Sequence, residues 1–154
     1  MSMTASTTSA AQTQDYERLL IVKFQNWSVY LHENQCYLGR MVIWSHRDEF
    51  VDIFMLDKCE LEELATICRL LERTLDGLFG PDLYNWASYA NVVRHQHVHL
   101  IPRYSRSVEC LGTTFMDKRW GMNHAPSDSD FAVSEDLVEQ LRLLIKSKIG
   151  GGVL

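Results

Sequence analysis

The chain has 154 residues, 46% of them hydrophobic, enough for one domain with a single core and too few for two. Its formal charge of −5 argues against a general binder of nucleic acid or anionic membrane, which would need a broad basic face. No apolar run approaches the roughly 20 residues of a membrane span, and the expected location is cytoplasmic.

Residues 1–14, "MSMTASTTSAAQTQ", are almost all Ser, Thr, Ala and Gln, without a charge. Such a segment buries too little apolar surface to offset chain entropy, so a disordered tail is expected there, with a single domain over 15–154. The four cysteines, Cys36, Cys59, Cys68 and Cys110, form no CxxC pair and are read as reduced, buried thiols.

"DYERLLIVKF" predicts a short helix. "WSVYLHE" alternates in the period of a half-buried strand, "NQCYLG" supplies a turn, and "RMVIW" reads as a second strand antiparallel to the first. Asp57 and Glu60 have capping-box spacing, placing a helix start near Lys58. Leu61, Leu64, Ala65, Cys68, Leu71, Leu75 and Leu78 form its apolar stripe, and Gly80 and Pro81 end it. "LYNWASYA" and "HVHLIPRY" read as two more strands. "SEDLVEQLRLLIKSKIGG" is a second amphipathic helix, opened by Ser134 and closed by Gly150. The order predicts an α+β domain with a mostly antiparallel sheet.

Three of the six histidines fall at alternate positions in "HQHVHLIPRY". On a strand, His95, His97, His99, Ile101 and Arg103 share one face, spaced about 6.5–7 Å apart, while Val98 and Leu100 face a core. Two of the row could bind one metal ion with Glu33 or His46, but the outer pair, about 13 Å apart, could not converge on it. Alternatively, a neutral imidazole can attack phosphorus while its neighbours hold phosphate oxygens. Arg94, Arg103 and Arg106 bracket the row and suit a polyphosphate. His32 and His124 are read as structural.

The segment "HQHVHLI" resembles the His-x-His-x-His signature of the histidine-triad nucleotide hydrolases and transferases. "VYLHENQCYLGRMVIWSH", the helix from Lys58, "LYNWAS" and "HLIPRY" follow in that family's order. "FMDKRWGMNHAP" is similar to a tail of some diadenosine-polyphosphate hydrolase-like members. The resemblance spans about residues 27–126 and implies a five-stranded, mostly antiparallel sheet with two helices, and a homodimer. It implies that His97 attacks the α-phosphorus of a dinucleoside polyphosphate or nucleotide conjugate, forming a nucleotidyl-histidine. His99 would contact the transferred phosphate and His95 would support the row. Asn85, Asn91 and Glu33 would contact the nucleotide. No cofactor is required, although magnesium can accompany the polyphosphate.

Three departures bear on this reading. Gln96 replaces a hydrophobic residue, which predicts incomplete burial of that strand. Gly39 and Arg40 stand where many members carry a further histidine, and Arg40 can bind phosphate but not donate a proton. His46, at the far end of that strand, is expected to cap the next segment. "ANVV" places no hydroxyl three residues before His95. A catalytically weak nucleotide-binding module and a metal-dependent hydrolase are therefore the alternatives to a histidine-nucleophile enzyme.

Overall fold

A computed structural model describes residues 16–151, so the expected tail lies outside the described residues. Five strands form one antiparallel sheet in the order β1-β2-β3-β5-β4: β1 Leu20–Lys23, β2 Trp27–Leu31, β3 Met41–Ser45, β4 Leu83–Ala87 and β5 His97–Arg103. Helix α1 (Lys58–Leu78) and helix α2 (Glu135–Gly151) pack on the same core. The expected α+β architecture is present.

The first element differs from the reading. A 3-10 turn at Glu17–Leu19 leads into β1, in place of a helix. Leu19 and Ile21 are both buried, the alternation of a strand, and pairing with β2 outweighs local helix propensity. A register shift between Leu20 and Val22 marks a bulge there.

Along α1 the buried apolar residues are Leu64, Ile67, Leu71 and Leu75; Ala65 is exposed and Cys68 only partly covered. The true stripe is thus rotated toward Ile67. The helix begins as predicted, with Asp57 N–H donating to Glu60 Oε2 at 2.8 Å. Helix α2 is opened by Ser134, whose Oγ accepts from Leu137 N–H at 3.1 Å.

Trp27, Val29, Leu31, Met41, Ile43, Val98 and Leu100 point from the sheet into this core. The opposite sheet face is covered only in part, by the chain that follows a hairpin absent from the sequence reading. That hairpin joins β6 (Val108–Cys110) to β7 (Thr113–Phe115) through Leu111 and Gly112, both in left-handed backbone with φ of 49° and 74°. From there residues 116–131 cross the open face.

All four cysteines are free, but only Cys36 is buried: Cys68 and Cys110 are half-buried and Cys59 is exposed at the first turn of α1, contrary to the expected burial. Among the described residues no helix is long and apolar enough to cross a membrane.

Candidate functional site

Strand registry arranges the open face in rows. Trp44 of β3 pairs with His97, and Val42 pairs with His99, which pairs in turn with Ala87 of β4. One row further, His32 N–H donates to Arg40 C=O, and Asn85 pairs with Ile101. Because strand side chains alternate, Arg40, two residues before Val42, rises on the same face as the histidines.

The row itself is held tightly. His95 precedes β5, and its ring stacks on Trp44 with centroids 4.3 Å apart and an 8° interplanar angle. Trp44 also stacks on His97 at 5.2 Å, and His97 meets His99 edge-on at 5.0 Å. His97 Nδ1 lies 2.7 Å from the carbonyl oxygen of His95. A carbonyl only accepts, so Nδ1 carries the proton and Nε2 keeps its lone pair. Gln96, contrary to the sequence expectation, is buried; its amide donates to Ser88 Oγ, which donates to the His97 carbonyl at 3.0 Å. The polar residue at that position braces the strand.

The loop that carries His32, Glu33 and Arg40 is fixed by buried Gln35. Its amide donates to the carbonyls of His32 (2.6 Å) and Arg40 (3.0 Å), and its oxygen accepts from Gly39 N–H (2.9 Å). Gly39 has φ +82°, and a Cβ there would come within 2.9 Å of Leu75, so glycine is required.

His32 and His124, read as structural from sequence, both join the site. His32 lies 6.4 Å from His99 between ring centroids, and Tyr89 lies 6.3 Å from both His99 and His124. Burial, with Arg40 nearby, pushes His32 down to about 3; burial, with His97 and Arg40 nearby, pushes His99 down to about 4. Burial also lowers His95 and His124. The alternation of β5 carried no signal for His32, Tyr89 or His124, which arrive from other elements.

The arginines divide differently from the sequence reading. Arg103 is buried and fully engaged: Nε donates to Asp117 at 2.6 Å, and its other nitrogens donate to Asn85, Arg119 and Met122. It anchors the covering segment and is not open to a phosphate. Arg106 donates to the carbonyls of Phe79 and Gly80 at the end of α1. Arg94 is exposed in the loop before the row. Arg40 alone lies among the histidines, its NH1 on Ser127 Oγ at 3.0 Å.

Asn85 stands on the histidine face, with its oxygen taken by Arg103 and a cleft of about 680 Å³ alongside, lined by Ala87, Tyr89, Trp120 and His124. Glu33 is exposed and paired with Arg18 at 2.6 Å, beside His32. Asn91 is exposed in the loop before His95, as is Val92. His46 does not cap the next segment: its ring nitrogens meet Ser28 Oγ at 2.7 Å and the Gln25 carbonyl at 3.0 Å. With Glu33 and His46 both engaged elsewhere, neither converges on the row. Among the described residues no group of three or more His, Cys, Asp or Glu side chains is placed to hold a metal.

No protein-family model matches the sequence, and no curated protein matches it. Solved structures do. A histidine triad protein from Bradyrhizobium japonicum superposes with a TM-score of 0.71 at 20% identity, covering 93% of this chain and 97% of that one. A histidine triad protein from Marinobacter aquaeolei gives 0.71 at 16% identity, covering 90% and 94%. The diadenosine triphosphate hydrolase of Plasmodium falciparum gives 0.61 at 16% identity, covering 88% and 78%. With His97 and His99 of the His-x-His-x-His row on its fifth strand and His95 just before it, the chain has the fold of the histidine-triad proteins.

Proposed function

We propose that the chain is a nucleotide hydrolase or nucleotidyl transferase acting at the α-phosphate of dinucleoside polyphosphates or nucleotide conjugates. It would work in the cytoplasm as a homodimer. The observation that carries this reading is the 2.7 Å contact between His97 Nδ1 and the His95 carbonyl, which leaves Nε2 free to attack. Nε2 forms a bond to the α-phosphorus, and the bond to the leaving group breaks with its electron pair departing. Water or another acceptor then attacks the phosphorus, returning Nε2 to its starting state. His99 contacts the transferred phosphate, while His95, stacked on Trp44, holds the tautomer of His97. Asn85, Glu33 and Asn91 line the approach of the nucleotide. Imidazole is the nucleophile, so no metal is required, although magnesium can neutralise a polyphosphate substrate.

The test is trapping. With substrate labelled at the α-phosphate and a base quench during turnover, label stays on the wild-type protein, because phosphoramidates resist base. His97→Asn abolishes both label and turnover, a loss on the order of 10⁴-fold or more, while still binding nucleotide. Near-normal turnover by that variant would sink the assignment. Exposed Val92, at the position without a hydroxyl, favours a second reading, a nucleotide-binding module with little turnover. Binding with no label on the wild-type protein would select it.

A further inference from the structure

Arg40 is a half-buried guanidinium with no carboxylate within ion-pair distance among the described residues. Its Nε is buried and has no hydrogen-bond partner, and the same is true of His99 Nδ1. An uncompensated charge and unpaired polar atoms in a partly desolvated site are costly unless a ligand completes them. Around them stand His32, Tyr89, His124 and Ser127, none of them a carboxylate. His32 Nδ1 accepts from Asn34 N–H at 3.0 Å, so the proton of the neutral ring sits on Nε2, which is a donor.

We infer that Arg40, with His32, His124 and Ser127, forms an anion subsite beside His99 that binds the phosphate next to the one attacked. It therefore selects substrates whose leaving group is itself a phosphate. This rests on the nucleotidyl-transfer reading for what leaves. As the His97 Nε2–phosphorus bond forms, the bridging P–O bond breaks and its electron pair goes to the departing phosphate. That group gains one negative charge and needs no proton. Arg40 stabilises such a charge but cannot protonate an alkoxide or amine. His32 and His99, which burial holds neutral near pH 7, are poor acids for that task as well. The arginine-for-histidine departure at Arg40 thus exchanges a proton donor for a fixed charge.

The experiment compares two substrates of equal nucleotide, diadenosine triphosphate and adenosine 5′-phosphoramidate, in wild type, Arg40→Gln and Arg40→Lys. Inorganic pyrophosphate binding is measured by calorimetry in the same proteins, with thermal unfolding as a check on the fold. Wild type should prefer the polyphosphate. Arg40→Gln should lower kcat/KM for it by about 30-fold, the loss of a charge-assisted contact, and change the amide substrate much less. Arg40→Lys should restore part of the preference, and pyrophosphate should bind wild type at least about ten-fold more tightly than Arg40→Gln. Equal losses on both substrates, or pyrophosphate binding that ignores Arg40, would overturn the subsite. If neither substrate is turned over and no adduct forms, the proposed function fails. The pyrophosphate isotherms then decide the subsite by themselves.

Discussion

Asp117→Asn tests how the covering segment is held over the open face. Arg103 and Asp117 are almost wholly buried, with side-chain exposures of 4% and 0%. The guanidinium meets the carboxylate at 2.6 and 3.3 Å and reaches the carbonyls of Arg119 (2.6 Å) and Met122 (3.0 Å), with its face 5.2 Å from the Tyr37 ring centroid. Asp117 also accepts from Arg119 N–H at 2.9 Å. The substitution keeps the shape and deletes the charge, so a buried cation is left facing neutral acceptors. Breaking such a pair costs about 3–5 kcal/mol. For a chain of this size about 4 kcal/mol lowers the melting temperature by roughly 10 °C.

Circular dichroism on heating reads the stability, and limited proteolysis reads the location. Cleavage should concentrate in residues 116–131, since that segment loses its anchor while the helix-side core is untouched. Arg103→Met combined with Asp117→Leu should recover part of the loss, because no charge is then stranded. High salt should change the wild-type midpoint little, as a pair without solvent is poorly screened. A cost below about 1 kcal/mol for Asp117→Asn would mean that the pair behaves like a surface one, and the anchoring argument would be wrong.

Exhaustive chelation should leave turnover of a small nucleotide conjugate intact; stoichiometric zinc in the purified protein, lost together with activity, would reverse this. Stability should fall as pH drops below about 6.5, because the unfolded chain then protonates histidines whose folded values lie near 3 for His32 and 4 for His99. Each ring adds a slope of about 1.4 kcal/mol per pH unit until its folded value is reached, and is fully stabilising only above about 6.5. Urea midpoints between pH 6.5 and 5 should therefore slope less in His32→Gln; an unchanged slope would show that His32 titrates normally.

The histidine row was legible because it is a local pattern: residues two apart on a strand share a face, whatever the rest of the fold does. The same holds for Asp57 and Glu60 at the start of α1, and for the strands on either side of Gly39. What failed depended on partners distant in sequence. Arg103 reads as a phosphate ligand until Asp117 and the carbonyls of the covering segment are seen around it. His32 and His124 read as scattered histidines until the Gln35-braced loop and the covering segment bring them toward His99 and Tyr89. In β1, a short run beginning with charged residues resembles a helix until the β2 ladder claims it. The hairpin turn at Leu111 and Gly112 had a weaker signature than Asn-Gly or Asp-Gly, since leucine rarely takes φ of 49°.

Net charge is a poor guide to this site, and the pairing of its carboxylates explains why. The chain carries five more acidic than basic groups, which by itself argues against an anion as ligand. Yet Glu33 is matched by Arg18, Glu60 by Arg47, Asp117 by Arg103 and Asp128 by Lys118. Each of these acids is spent on a loop, a cap or the covering segment. Arg40 has no such partner among the described residues, and stands beside imidazoles that burial keeps neutral. The local field is therefore set by Arg40, with Arg119 bearing on His124, beside acids already paired with other cations. Attraction at a few ångströms in a partly dry site far exceeds repulsion from exposed carboxylates beyond a screening length of about 8 Å. An acidic protein can thus present a phosphate site, provided that its acids are paired where the phosphate would sit.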